Sequence, residues 1–163
     1  MLYLPVACPG SGKSFCAQYM VDTDMIHEDA VVSPDRYREI LTGDRTNQKV
    51  NKQVFEIVDS IVDSRILHGL DVYLDATNLN AKLRNKLLAR VTSLSYDFSL
   101  GITILVSDLP REIAEHRNQN RMFPVPEDVF DRFWKLAEEF DPQKYIDLYN
   151  AKVMKFSDIT FAP

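Results

Sequence analysis

Ala7-Cys8-Pro9-Gly10-Ser11-Gly12-Lys13-Ser14 is the landmark of this chain. It fits the phosphate-loop pattern G-x-x-x-x-G-K-[ST], with alanine in place of the first glycine. Ahead of it, residues 2–7 form an apolar run that the Pro9-Gly10 breaker ends, and behind it residues 13–20 read as a helix. Strand, glycine loop and helix are the setting such a loop needs. Gly10 and Gly12 let consecutive N–H groups turn inward around a phosphate, Pro9 and Ser11 complete the loop, and the helix N-terminus adds partial positive charge. Lys13 is expected to reach β- and γ-phosphates and the Ser14 hydroxyl to ligate Mg²⁺, so ATP or another NTP with Mg²⁺ is the expected ligand. Ala7 is harmless provided its φ is negative.

Working outward, residues 30–32 form a second apolar pulse before Ser33-Pro34, where Ser33 suits an N-cap and Pro34 the first helical position, with a helix expected to Leu41. After Gly43-Asp44, apolar residues at 50, 54, 57, 58, 61, 62 and 67 mark a helix with one buried face, and Gly69 is placed to end it. A strand at 70–74 delivers Asp75-Ala76-Thr77-Asn78, and Asn80 caps a helix over 81–91. A strand at 100–106 precedes a polar helix through about Arg121, and residues 127–139 form another. Beyond Asp141-Pro142 the pattern gives a short helix at 143–149 and an edge strand at 152–156. Strands alternating with helices indicate βαβ units: an α/β domain with a mostly parallel central sheet flanked by helices.

A nucleotide site leaves the acceptor open, and the remaining motifs address it. Asp35 and Arg38 share a face of the first helical turns after the second strand. They read either as a proton-accepting carboxylate beside an anion-gripping guanidinium, or as a surface salt bridge. Asp75 ends an apolar strand in the manner of a Walker B carboxylate, a Mg²⁺ contact, or else forms a turn. Thr77 and Asn78 follow on the same rim and can donate to a phosphate or sugar, while Asn78 and Asn80 can equally be local caps. Arg117 and Arg121, four apart, either reach over the transferred phosphoryl group as part of a helical lid at about 111–126, hinged at Pro124-Val125-Pro126, or form a solvated helix end.

Lys82, Arg84, Lys86 and Arg90 lie in residues 76–96, which contain no acid; the row at 82, 86 and 90 reads either as a phosphate-backbone track or as a solvated face. Phe130, Phe133 and Trp134 read as core rather than a base-stacking platform. Cys8 reads as incidental to the loop, or else, since an electropositive loop can lower a thiol pKa, as an oxidation-sensitive thiol.

The whole chain sets bounds on these readings. Its 163 residues suit a single domain, 1–163, and 45% hydrophobic residues can build a core unaided. A net charge of −5 excludes a surface that coats nucleic acid non-specifically, so any phosphate-binding patch is local. Cys8 and Cys16, with His27, His68 and His116 scattered, make neither a disulfide framework nor a structural zinc site, and a reducing cytoplasmic setting is expected. The uncharged opening at 1–12 is far short of the about 20 apolar residues of a membrane span, and neither membrane nor protein partner is expected.

Together, residues 8–14, Asp35 to Arg38, Asp75-Ala76-Thr77-Asn78-Leu79-Asn80 and Arg117 to Arg121 resemble, in order and spacing over about residues 1–140, the 5′-kinase domain of phage-type polynucleotide kinases. The resemblance implies a P-loop kinase fold and transfer of the ATP γ-phosphate to the 5′-hydroxyl end of DNA or RNA in nucleic acid end repair, within the cytoplasm of an infected host. It implies Asp35 as general base, Arg38 on the acceptor's phosphate, Thr77 at the acceptor pocket, and Arg117 and Arg121 at the ATP phosphates, Arg121 at the transferred group. No acid-phosphatase D-x-D-x-T signature occurs, so the expectation is a kinase alone. The motif order is shared more loosely with zeta-toxin-like sugar-nucleotide kinases, so a small-molecule P-loop kinase is the alternative.

Overall fold

Strands and helices alternate through residues 1–95 and 100–160, which the computed structural model describes. β1 (Leu2–Val6) runs through the glycine loop into α1 (Lys13–Asp22). Then come β2 (Val31–Val32), α2 (Pro34–Thr42), α3 (Asn51–Leu67), β3 (Val72–Leu74), α4 (Ala81–Leu94) and β4 (Ile102–Val106). α5 (Arg111–Gln119), α6 (Glu127–Glu138), α7 (Gln143–Tyr149), β5 (Lys152–Lys155) and α8 (Phe156–Thr160) complete the order.

The strands pair in the order β2-β3-β1-β4-β5, every pairing parallel. Alternation along each strand sends residues to opposite faces. Leu2, Leu4, Val72, Leu74, Ile102 and Ile104 pack on one side with the buried residues of α3 and α4, while Tyr73 and Leu105 pack on the other with α1 and α8. β1 lies between β3 and β4, its neighbours on the two sides, and a parallel sheet opens a crevice at the carboxyl ends of its strands where the order reverses. The glycine loop, Asp75 and the start of α2 all lie on that rim.

Local sequence explains the helix ends. Gly69, at φ +69°, closes α3: its N–H donates to the Ile66 carbonyl and that of Leu70 to the Arg65 carbonyl, a Schellman ending. Asn80 accepts from the Leu83 N–H at 3.1 Å and so caps α4. Ser33 occupies the N-cap of α2, with Pro34 following, yet its side chain makes no capping bond.

Several expectations need correction. The buried seam of α3 is Val54, Val58, Val62 and Ile66, a four-residue repeat, and Leu67 is 52% exposed because the helix ends there. β3 begins at Val72, Leu70 being used in the Schellman turn. α8 was not anticipated. Its Asp158 accepts from the Lys155 N–H at 2.7 Å, the return half of a capping box, and Phe156 and Ile159 bury against α1.

The cation row on α4 is also revised. Arg84 is buried: Nε donates to the Tyr145 hydroxyl at 2.9 Å, Nη1 to the Asn78 carbonyl at 2.6 Å, and the guanidinium lies 4.8 Å from the Phe140 ring centre. Arg90 is held by Asp59 at 2.7 Å and Asp63 at 3.0 Å. Only Lys82 and Lys86 of the four remain exposed and without an ion pair among the described residues. Tyr96, the end of that acid-free stretch, lies outside the described residues.

Phe130 is buried and stacks on Trp134 with centroids 6.1 Å apart, the core role expected of that cluster. No helix among the described residues is long and apolar enough to cross a membrane. Because Arg84 satisfies two buried acceptors from α7 and the Asn78 turn, Arg84→Ala is expected to lower unfolding free energy by about 2–4 kcal/mol in urea titrations. Lys82→Ala and Lys86→Ala should stay within about 0.5 kcal/mol of wild type.

Candidate functional site

A cavity of about 1150 Å³ opens over the carboxyl ends of β1, β2 and β3. Its floor is the glycine loop. Gly12 precedes α1 at φ +91°, a conformation that side chains resist, and the amides that open α1 have no acceptor within the helix. Ala7 keeps a negative φ, so alanine costs the loop nothing. Gly10 answers to a second constraint: a Cβ built there would lie 2.1 Å from the Ala114 carbonyl oxygen of α5. The Ser11 hydroxyl is buried without a partner inside the loop. An inward-turned amide cradle, an orphaned hydroxyl and a lysine suit a phosphate chain.

Lys13 donates through Nζ to the Cys8 carbonyl at 2.6 Å and the Ala7 carbonyl at 3.2 Å. Burial pulls its ammonium down to about 8, opposed by the charge of Asp75. The Ser14 hydroxyl donates to Asp75 Oδ2 at 2.9 Å. Burial raises the Asp75 carboxyl, and the Ser14 hydrogen bond and Lys13 pull against it.

No cluster of three His, Cys, Asp or Glu among the described residues could hold a metal by itself. One carboxylate and one hydroxyl, both hard oxygen donors beside a phosphate cradle, do fit Mg²⁺, which keeps waters and takes phosphate oxygens for the rest of its shell.

Tyr73 was not singled out from sequence. Its buried hydroxyl donates to the Lys13 carbonyl at 2.7 Å and fastens the first turn of α1 to β3, the strand that carries Asp75. Burial raises its pKa, so it stays a neutral donor. The available signal was a tyrosine facing the α1 side of a strand otherwise built of aliphatics.

Asp35 and Arg38 pair directly across the cavity's edge. The pair exists, but it is not a surface salt bridge: Arg38 is 6% exposed, and its Nε donates to Asn51 Oδ1 at 2.9 Å. Charge on Asp35 is felt at both Lys13 and Asp75, which brings the two halves of the cavity into one electrostatic unit.

Thr77 lines the cavity. Asn78 does not: at φ +50° it turns Nδ2 onto the carbonyls of Pro5 at 2.8 Å, Ala76 at 3.1 Å and Leu74 at 3.2 Å, so its amide closes the turn after β3.

Arg117 and Arg121 both line the cavity, though not from one helical face, because α5 stops at Gln119 and Arg121 sits on the bend that follows. The guanidinium of Arg117 comes within 4.0 Å of the position a Cβ would take on Gly12. Asn118 between them is buried, its Nδ2 donating to the Val125 carbonyl at 2.9 Å and its Oδ1 accepting from the Val125 N–H at 3.1 Å. That two-point clamp closes the bend carrying Arg121. Phe156, Ser157 and Thr160 of α8 also line the cavity. Cys8 is buried and its thiol is pushed up to about 11, which agrees with an incidental cysteine rather than an activated thiol, because burial outweighs the nearby cations Lys13 and Arg111.

A family model described as an AAA domain matches residues 6–140. A chain of the Pnkp1/Rnl/Hen1 RNA repair complex aligns with TM-score 0.63 and 24% identity, over 86% of this chain and 46% of that one, so this chain spans less than half of its length. A gluconokinase from Sinorhizobium meliloti 1021 aligns with TM-score 0.56 and 13% identity, over 98% of this chain and 86% of that one. Comparison with curated proteins finds no match. The expected α/β P-loop kinase fold, a parallel sheet flanked by helices, is the fold of this chain.

Phosphate binding needs Lys13 charged, and burial brings the loss of its proton down to near pH 8. MgATP affinity is therefore expected to be flat below about pH 8 and to fall above it. Calorimetry in buffers of different ionisation enthalpy should show uptake of nearly one proton on binding at pH 9 and almost none at pH 7, and equal uptake at both would contradict the assignment. Asn118→Ala should raise amide hydrogen exchange at Val125 by about tenfold or more, with little change in the β1 amides.

Proposed function

Since the chain belongs to the AAA domain family whose model spans residues 6–140, we propose that it is an ATP-dependent phosphotransferase acting on the 5′-hydroxyl end of a polynucleotide. The observation that carries this reading is the Asp35–Arg38 pair, held in the same cavity as Lys13, Ser14 and Asp75. A protein that only bound nucleotide would have no use for a carboxylate opposite the phosphate loop, fixed by an arginine that is itself anchored by Asn51.

In the proposed reaction the Asp35 carboxylate accepts the proton of the acceptor hydroxyl. A P–O bond forms to the acceptor oxygen as the bond from the γ-phosphorus to its bridging oxygen breaks, and ADP leaves. Lys13, Arg117 and Arg121 neutralise the charge that spreads over the transferred oxygens. Ser14 and Asp75 would hold Mg²⁺, which supplies further charge neutralisation between the β- and γ-phosphates. Arg38 keeps an Nη2 amino group for an anionic acceptor after serving Asp35 and Asn51. α8 is the wall we assign to the donor nucleoside, through Phe156, Ser157 and Thr160.

A cavity of about 1150 Å³ exceeds the roughly 300–1000 Å³ of typical small-molecule sites, which supports a large acceptor beside the triphosphate. One observation favours the other reading, a small-molecule kinase: Arg84 and Arg90 are occupied within the fold, so α4 offers no continuous cationic track.

The test is transfer of labelled γ-phosphate to matched 5′-hydroxyl and 5′-phosphate oligonucleotides. Wild type should label only the 5′-hydroxyl strand. Asp35→Ala should lose about 10²–10⁴-fold in rate while binding ATP within about threefold of wild type. Failure to label any oligonucleotide with ATP binding intact would sink the polynucleotide reading.

A further inference from the structure

Between α2 and α3 the chain makes a connection, residues 43–50, that no motif explains. It is exposed, yet it is stiffly built. Thr42 Oγ1 donates to the Arg38 carbonyl at 2.8 Å, Asp44 Oδ1 accepts from the Thr46 N–H at 2.8 Å, and Asn47 Oδ1 accepts from the Lys49 N–H at 3.0 Å. Asn51 Nδ2 then donates to Gln48 Oε1 at 2.6 Å, while its Oδ1 holds Arg38. A connection locked by side-chain bonds at each step is a wall rather than a slack loop.

That wall turns Arg45 into the main cavity. Arg45 is exposed and makes no ion pair among the described residues, although Asp44 is its neighbour, because the Asp44 carboxylate is taken by Thr46. Phe55, 40% exposed, lines the same cavity. It lies one helical turn beyond Asn51 and so shares the α3 face that grips Arg38. The seam of α3 that enters the core runs through Val54 and Val58, leaving Phe55 off it. An arginine free of carboxylates and an aromatic ring outside the core, both beside the Asp35–Arg38 pair, answer to no requirement of folding.

We propose that Arg45 and Phe55 form the acceptor subsite that makes this cavity selective for a single-stranded polynucleotide end: Phe55 stacks on a base of the terminal two nucleotides, and Arg45 pairs with the phosphate next inward from the one at Arg38. This rests on the reading of the site given above and goes beyond it by assigning the wall that reads polymer rather than metabolite. A sugar or nucleoside needs one anion grip, whereas a chain presents a phosphate at every nucleotide and a π-face at every base. Interleaved cation and aromatic ring match that repeat. The subsite also takes over the discriminating role that α4 cannot fill.

The experiment measures phosphoryl transfer to five 5′-hydroxyl acceptors: a nucleoside 3′-phosphate, a dinucleotide, a tetranucleotide, and two tetranucleotides, one abasic at position 1 and one at position 2. Phe55→Ala should raise the tetranucleotide KM about tenfold without moving the KM for ATP, and Phe55→Trp should restore it. One abasic acceptor should abolish the difference between wild type and Phe55→Ala. Arg45→Gln should collapse the preference for tetranucleotide over nucleoside 3′-phosphate and reduce the slope of log KM against log salt by about 0.7. A Phe55→Ala effect of equal size on every acceptor, or no effect on any, overturns the subsite while leaving the kinase reading standing. A wild type that phosphorylates none of the oligonucleotides overturns both.

Discussion

The close approach of the α5 backbone to the glycine loop governs the rest of the site. At Gly10 there is room for a hydrogen and for nothing larger, because the Ala114 carbonyl lies where a Cβ would be. A glycine whose expected role is phosphate binding also lets α5, the helix that carries Arg117, sit directly on the loop. From that seat, Arg117 reaches Gly12 and Asn118 is buried deeply enough to clamp Val125. The bend with Arg121 is therefore fixed at both ends, by α5 and by the clamp, while its tip stays exposed. Displacing that bend would cost the two Asn118–Val125 hydrogen bonds rather than a refolding of the helix.

Three charged groups nearest the loop are each engaged within the protein. Lys13 is solvated by two carbonyls of its own loop, Asp75 by the Ser14 hydroxyl, and Asp35 by Arg38. Burying unpaired charges would cost several kcal/mol each, so this mutual pairing keeps the cavity stable without a ligand. It also means that nucleotide binding exchanges partners rather than creating them. Lys13 has the most to gain, since burial has already weakened its hold on a proton and phosphate would strengthen it. Tyr73 keeps the exchange local, pinning the first turn of α1 to β3 so that Ser14 and Asp75 stay in register.

What could be read from the sequence was whatever depends on neighbours in the chain. The glycine loop, the Asn80 cap, the Gly69 turn and the order of strands and helices are set by residues within a few positions of one another. The fates of Arg84 and Arg90 were not legible, because their partners come from elsewhere: Tyr145 on α7 for one, Asp59 and Asp63 on α3 for the other. A row of cations at i, i+4 and i+8 looks the same whether solvent or a carboxylate faces it. Asn78 was legible only in part: its bonds to the Leu74 and Ala76 carbonyls are local, but its bond to the Pro5 carbonyl depends on β1 lying beside β3. At Cys8 two effects compete, the field of the loop's cations and the loss of solvent, and only the structure shows that burial prevails.

The charge balance of the chain gives these local arrangements a common logic. With a net charge of −5, the surface as a whole repels a polyanion, and beyond a Debye length of about 8 Å that repulsion is screened in any case. Attraction is concentrated at the cavity, which Lys13, Arg38, Arg45, Arg117 and Arg121 all line. On the proposed reading this distribution is what an enzyme of chain ends requires. A continuous basic face would hold the interior of a strand as firmly as its terminus and would sequester the protein on internal phosphates. Cations gathered around one cavity gain their full effect when a terminus enters, so the pairing of Arg90 with Asp59 and Asp63 and the burial of Arg84 remove a competing track on α4 and leave end binding as the favoured mode.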